Sequence, residues 1–394
     1  MTPPARLQAA IELLDEIILS ARDGGPAADT LIARYFKTRR YAGSKDRRAV
    51  REFVYSAIRL CGERPESGRA AMLALVRTEP GLADLFDGSP HGPFPKAKGE
   101  QEAVPGAVPA WLMPHLAEPL RELPEQEALL ERAPLDVRIN RLRGDIAPAG
   151  VAFPQGQKFD HLPFAMRLPE GFPVEQSEAY RDGLVEVQDL GSQMIAGACA
   201  AMPGTTVIDL CAGAGGKTLA LAADMEGSGR LIAADSVRDR LTRLGPRAQR
   251  AGAGFIETLL LDQGRETTAL EPLAGTADVV LVDAPCSGTG TWRRNPEARW
   301  RLTENRFARL MAEQARILDF AAPLVKPGGR LVYAVCALTD AEGREQVESF
   351  LVRHNGWKSV DTGVPAGRKY GEGRLLTPAH DGTDGFFIVA LVRL

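Results

Sequence analysis

The sequence predicts an α/β fold with a parallel sheet in its C-terminal half, preceded by a helical region and a small α+β insert. Three observations carry this. From about residue 184, long apolar strand-like runs alternate with helical ones, the pattern of βαβ units whose sheet is covered by helices on both faces. Residues 1–76 instead place apolar groups at three- and four-residue spacing, as in "LQAAIELLDEII" and "DRRAVREFVYSAIRL". Between the two regions, residues 79–124 carry nine prolines, which leave room only for short helices, one of them around residues 111–120.

The elements follow in order. "LDVRINRL" and "AMRLP" are short strands of the insert at residues 134–180. "TTVIDLCAG" is a buried strand entering a Gly-rich loop, and "KTLALAADM" is the helix after it. "GRLIAADS", "FIETLLLD" and "ADVVLVDAPC" are the second, third and fourth strands. "VRDRLTRLGPRAQRAG" is helical, with Pro246 expected to interrupt it. "ENRFARLMAEQARILDFAAPLV" is a long amphipathic helix ended by "KPGG". "RLVYAVC" is the fifth strand, "DAEGREQVESFLVRHN" a helix, and "DGFFIVALVRL" the closing strand.

Composition narrows the function classes. The 394 residues imply two or three domains, and 44% hydrophobic with 25% charged residues is ordinary for a globular protein. No run of 18 apolar residues occurs, so no membrane span is expected. The start "MTPPARLQAAIELLDEIILS" carries acids and lacks the form of a signal peptide, so the expected location is cytoplasmic. Cys61, Cys199, Cys211, Cys286 and Cys336 are scattered with no CxxC spacing, which predicts neither a disulfide framework nor a metal site. The net charge of −3 excludes a wholly basic coat, yet residues 31–70 hold eleven Lys/Arg against four Asp/Glu. A local basic stripe of this kind binds phosphate whatever the total charge.

The loop "DLCAGAGGKT" resembles a phosphate cradle but fails both familiar patterns. A Walker loop needs glycine where Cys211 stands, and the dinucleotide pattern beginning at Gly213 and Gly215 meets Thr218 in place of its last glycine. A nucleoside without phosphates fits better. Asp209 ends the first strand, and Gly213, Gly215 and Gly216 offer bare backbone. Asp235 ends the second strand, where an acid accepts ribose hydroxyls. Asp262, after the third, is placed to accept from an adenine amine. S-adenosylmethionine is the ligand this pattern suits. Cys211, Ala212, Gly213, Ala214, Gly215, Gly216 and Lys217, with Asp235, Asp262 and Asp283, form its expected binding set.

Cys286 and Cys336 follow the fourth and fifth strands, at the edge where open α/β sheets bind ligands. A thiolate beside a methyl donor has a specific use. Attack on carbon 6 of a pyrimidine makes carbon 5 nucleophilic enough to take the methyl group. Asp283 is placed to hydrogen-bond ring N3, and Lys217 to orient the base and lower a thiol pKa. These residues alone do not say which cysteine attacks.

Together these residues resemble the RsmB/Sun family of RNA 5-methylcytosine methyltransferases, whose first motif reads roughly D-x-C-A-A-P-G-G-K-T. "DAPCSGTG" matches its fourth motif in full, "YAVCA" is similar to its sixth, and "VQDLGSQ" and "DGFF" resemble its flanking segments. The resemblance implies a Rossmann-like class I methyltransferase domain, with Cys336 as nucleophile and Cys286 assisting release of the product. Departures are Ala214, where the family has proline, and Val335 and Ala337, where it has hydroxyl residues. The stretch "FKTRRYAGSKDRRAVREFVYSAIR" is similar to a NusB-like RNA-binding domain, and "VRINRL" resembles a small RNA-contacting subdomain. The domains implied are 1–125, 126–183 and 184–394. The implied partner is RNA, with 16S rRNA favoured over tRNA, acted on by a monomer that binds neither DNA nor membrane. The rival readings are a tRNA cytosine-C5 methyltransferase and a catalytically silent RNA-binding or assembly factor.

"TWRRNPEARWRLTENR" follows the fourth motif directly. Arg293, Arg294, Arg299 and Arg301 beside Trp292 and Trp300 are expected to grip phosphate and stack bases. Arg39, Arg40, Lys45, Arg47 and Arg48 form a second expected RNA patch.

Overall fold

The computed structural model describes residues 1–144, 150 and 152–394. They form two units, Met1–Glu131 with Thr291–Arg306, and Arg132–Gly290 with Phe307–Leu394.

The first unit is built on four helices, α1 (Pro3–Asp23), α2 (Ala28–Thr38), α3 (Ser44–Leu60) and α4 (Gly68–Thr78). Their apolar stripes meet in one core that includes Leu7, Leu14, Ile17, Val54, Ile58 and Met72, as the three- and four-residue spacing predicts. The Pro-rich stretch contains the 3-10 turns Pro80–Leu85, Ala110–His115 and Glu118–Arg121, and the short helix Leu123–Ala128.

The segment Thr291–Arg306 belongs to this helical unit, not to the sheet domain that flanks it in sequence. Three of its charged residues serve helix ends. Glu297 accepts from the Ala28 N–H at 3.1 Å, at the start of α2. Buried Arg299 donates to the carbonyls of Ile58 and Arg59 in the last turn of α3, and to Ala107 at 2.6 Å. Arg301 donates to Ser20 in the last turn of α1, and to Gly25 and Pro26 beyond it. An acid thus meets the positive end of one helix and cations meet the negative ends of two others. Trp300 packs in the helical core and donates Nε1–H to the Cys61 carbonyl at 2.8 Å. The reading of Trp292, Trp300, Arg293, Arg299 and Arg301 as an RNA grip is corrected accordingly. Trp292, Trp300, Arg293 and Arg299 are buried, and Arg301 is engaged by backbone. Burial pushes the Arg299 guanidinium down only to about 10, so it remains a cation at neutral pH.

The second unit contains two sheets. The smaller is antiparallel, with β1 (Leu135–Ile139), β2 (Gln157–Phe159), β3 (Leu162–Leu168) and β4 (Val185–Val187) in the order β2-β3-β1-β4. It extends past residue 183, because β4 pairs with β1. The larger sheet holds β5 (Thr206–Asp209), β6 (Arg230–Asp235), β7 (Glu257–Leu260), β8 (Ala277–Asp283), β9 (Val325–Val335), β10 (Trp357–Val360), β11 (Arg368–Tyr370), β12 (Gly373–Leu376) and β13 (Phe386–Arg393). The order is β11-β12-β13-β9-β8-β5-β6-β7, with β10 also on β13. The five strands from β7 to β9 are parallel, so their carboxyl ends share one edge. Val207, Leu231, Ala233, Leu281, Val332 and Ala334 alternate onto one buried face.

Three details differ from expectation. The closing strand β13 is antiparallel to β9. "KPGG" lies within β9, and a register shift between Ala277 and Val279 of β8 absorbs the extra residues. The helix Arg238–Ala251 runs through Pro246, because Leu241, Leu244, Ala248 and Ala251 bury one continuous face across it. Among the described residues, no helix is long and apolar enough to cross a membrane.

The helix-end role of Arg299 is testable. Arg299→Ala should lower unfolding free energy by about 2–3 kcal/mol, since it orphans buried carbonyls, while exposed Arg40→Ala stays within about 0.5 kcal/mol. Denaturant melts of both proteins make the comparison, and equal midpoints would remove the assignment.

Candidate active site

Strands β5, β6, β8 and β9 deliver the functional groups to one sheet edge. β8 and β9 pair in parallel with Asp283 opposite Ala334. Cys286 lies three residues past the end of β8 and Cys336 directly after β9, and the two Sγ atoms stand 3.2 Å apart. The two thiols expected at this sheet edge thus stand side by side. Cys336 and burial push the Cys286 thiol well above its ordinary range, and the Glu342 charge adds to that push.

The two cysteine loops are fastened to each other. The Gly290 N–H donates to the Cys336 carbonyl at 3.0 Å, and the Leu338 N–H donates to Thr289 Oγ1 at 2.7 Å. Gly290 also lies against Gly385 of the "DGFF" segment, whose N–H donates to the Gly290 carbonyl at 2.8 Å. A Cβ at Gly290 would stand 2.0 Å from the Gly385 carbonyl oxygen, so that position admits only glycine.

Glu342 was not singled out from the sequence, yet it organises these loops. It is fully buried. Its carboxylate accepts from the Ser287 N–H at 2.7 Å, Ser287 Oγ at 2.6 Å, Thr339 Oγ1 at 2.8 Å and Gln314 Nε2 at 3.0 Å. One side chain therefore holds the residue after Cys286, a residue three past Cys336, and the long helix Glu304–Ala321. A buried carboxylate is tolerated only when its acceptor sites are met in this way. In sequence it is one acid among Asp340, Glu342 and Glu345, and nothing local distinguishes it.

Lys217 and Asp283 meet as an ion pair at 2.7 Å. Burial works against the Lys217 charge, but the Asp283 carboxylate outweighs it and raises the ammonium above its usual value. Asp283 is thus not a lone acid facing a base; it brings a cation with it.

The Gly-rich loop connects β5 to the helix Gly216–Asp224. Gly213 and Gly215 adopt φ of 57° and 85°, left-handed values that suit glycine. Asp235 binds the loop, accepting from the Gly213 N–H at 2.8 Å and the Val237 N–H at 2.7 Å, and each oxygen keeps a further acceptor site. Asp209 is buried and accepts from Thr218 Oγ1 at 2.7 Å. Burial pushes its carboxyl up to about 7, although Thr218 draws it down. Its Oδ1 side-chain atom has no partner among the described residues. Asp262 is exposed, two residues past β7.

The "VQDLGSQ" segment is scaffold. Asp189 caps the helix Leu190–Ala198 through the Gly191 N–H at 2.7 Å and accepts the Asp384 N–H at 2.9 Å. It thereby ties this segment to "DGFF".

The family model described as 16S rRNA methyltransferase RsmB/F matches residues 198–392. A Synechocystis relative, named probable ribosomal RNA small subunit methyltransferase B, is 34% identical over 309 residues, which cover 75% of this chain and 68% of the relative. The chain belongs to the RsmB/F family. A second member, ribosomal RNA small subunit methyltransferase B of Salmonella paratyphi B, is 33% identical over 72% of this chain and 66% of its own. This chain therefore spans about two thirds of the length of these RsmB/F relatives. The crystal structure of PH0851 shares the fold, with a TM-score of 0.77 at 22% identity over all of both chains.

S-adenosylmethionine is the cofactor of this RsmB/F chain, and the loop fits it. A Cβ at Gly213 or Gly216 would meet nothing within 4 Å, so the backbone there faces open space. The remaining acceptor sites of Asp235 would supply a polar complement. When bound, the cofactor supplies an electrophilic methyl group on sulfonium. Of the expected RNA residues, Arg40 is exposed and Arg294 is half-buried. Arg39 stacks 3.5 Å over the Tyr35 ring and lies 3.7 Å from Glu12. Val335 and Ala337, beside Cys336, are both buried.

Loss of the Glu342 carboxylate frees both cysteine loops. Glu342→Ala should lower the rate of methyl transfer about a hundredfold, the scale of a small misplacement of reacting groups, while calorimetry finds S-adenosylhomocysteine bound as tightly as before. An unchanged rate would show that the loops hold their geometry without it.

Proposed function

We propose that this chain transfers a methyl group from S-adenosylmethionine to carbon 5 of a cytosine in 16S rRNA, through a covalent bond between a cysteine and carbon 6. The observation that carries the reading is the pair of thiols 3.2 Å apart at the carboxyl ends of adjacent parallel strands. An ordinary methyltransferase that uses the substrate's own nucleophile has no need of two.

Cys336 adds as thiolate to carbon 6, and the ring electrons make carbon 5 nucleophilic. Charge developing on the ring is met by Lys217 and Asp283, with the ammonium as the group able to offset negative charge. Carbon 5 takes the methyl group from the sulfonium. A base then removes the carbon-5 proton, the carbon–sulfur bond breaks, and the electron pair returns to Cys336. Cys286, held largely protonated, stands beside the leaving sulfur and assists that release.

RNA is held in part by the helical unit, where Arg40, Lys45, Arg47 and Arg48 are exposed near Tyr41, itself 73% exposed. Cations with an accessible ring suit a backbone grip and a stacked base. The target cytosine must be unpaired or flipped out of its stack. The protein works as a cytoplasmic monomer.

Bisulfite sequencing of 16S rRNA from a deletion strain should lose one methylated cytosine, restored by the wild-type gene. An unchanged profile would contradict the proposal. Cys336→Ala should abolish methylation, whereas Cys286→Ala should accumulate a protein–RNA adduct visible on denaturing gels. Activity retained by Cys336→Ala would reverse the two roles.

A further inference from the structure

The cofactor loop contains no proline, and three of the four residues from Gly213 to Gly216 are glycine. Two of those glycines have positive φ. Such a loop loses much conformational entropy when it orders around a ligand. Proline lowers such a cost by fixing one dihedral in advance.

Here the loop is held by side chains from outside it. Arg247, in the helix Arg238–Ala251, donates Nη1–H to the Ala214 carbonyl at 2.8 Å. Its Nη2 donates at 2.9 Å to Glu186 of β4, a carboxylate only 3% exposed that also accepts from Arg250. The Arg247 side chain is 27% exposed, and its guanidinium spans the two acceptors with two different nitrogens, a fork that an ammonium cannot reproduce. A second strut runs in parallel. Arg138 donates to Gln188 Oε1 at 2.8 Å, and Gln188 Nε2 donates to the Gly216 carbonyl at 3.3 Å. Arg138 and Glu186 are themselves paired across β1 and β4. Together with Asp235 on the Gly213 N–H, three successive parts of the loop are held.

We propose that Arg247 is a positioning residue for S-adenosylmethionine, anchored on Glu186, that pre-orders the Ala214 peptide in place of a proline. Both of its hydrogen bonds go to the protein, and it acts by holding the loop in the shape the cofactor meets. The stiffening of the cofactor site in this chain therefore comes from the small sheet and the helix after β6, and not from the loop's own covalent structure.

The proposal rests on the cofactor site alone, so it is tested without RNA. Isothermal calorimetry with S-adenosylhomocysteine should show Arg247→Ala weakened about tenfold, the scale of one charge-assisted hydrogen bond. Arg247→Lys should fall between, because lysine reaches one acceptor at a time. The decisive arm is Ala214→Pro in the Arg247→Ala background. The Ala214 N–H donates to no acceptor among the described residues, so proline removes no hydrogen bond there. That double variant should regain much of the lost affinity. A role confined to the Arg247–Glu186 ion pair would lower the melting temperature, leave affinity in the folded protein unchanged, and not respond to the proline. Wild-type affinity in Arg247→Ala, or no recovery in the double variant although it melts cooperatively, overturns the proposal. Failure of the cytosine assignment would leave this result untouched, since the probe involves no thiol and no RNA.

Discussion

The parallel pairing of β8 with β9 is the constraint on which the proposed chemistry depends. Fifty residues separate Cys286 from Cys336 in sequence, and the register that sets Asp283 opposite Ala334 brings their sulfurs to 3.2 Å. Thiol geometry is not left to the loops themselves. Glu342 holds one loop against the other, Thr289 holds the segment after Cys336, and the glycine contact between Gly290 and Gly385 fixes how closely the chain end approaches. A loop free to shift by an ångström would lose the geometry that the proposed covalent catalysis requires.

The cofactor side is organised by the same edge. Lys217 opens the helix after the Gly-rich loop and pairs with Asp283 at the end of β8. That ion pair joins the methyl-donor half of the site to the thiol half. Asp235 from β6 and Arg247 from the following helix hold the loop from its other side. Asp283 and Asp235, at two strand ends, thus each fix the position of a neighbouring element.

Much of this was legible in the residues. The parallel strands could be read because each is an apolar-rich run bounded by turn residues, whereas the short β2, β4, β10, β11 and β12 could not; the site could be read because acids and cysteines fall at or just after strand ends. The features that escaped reading depend on partners remote in sequence. Pro246 suggests a break, but the buried face across it keeps the helix whole. Arg299 and Trp300 look like an RNA grip beside the catalytic loop, and only the fold shows that they meet the ends of helices more than two hundred residues earlier. Glu342 is one acid among several, and Arg247 one arginine on a basic helix; neither has a local signal. Charge alone does not tell a surface residue from one that holds a loop, because the difference lies in what surrounds it.

Peptide mass spectrometry of the wild-type protein after reaction with S-adenosylmethionine and 16S rRNA containing 5-fluorocytidine tests the central claim most directly. Fluorine at carbon 5 blocks the elimination that frees the thiol, so the adduct persists. The account predicts a single cytidine adduct on the peptide carrying Cys336, already methylated at carbon 5. An adduct on Cys286, or methylated RNA with no adduct at all, would contradict it.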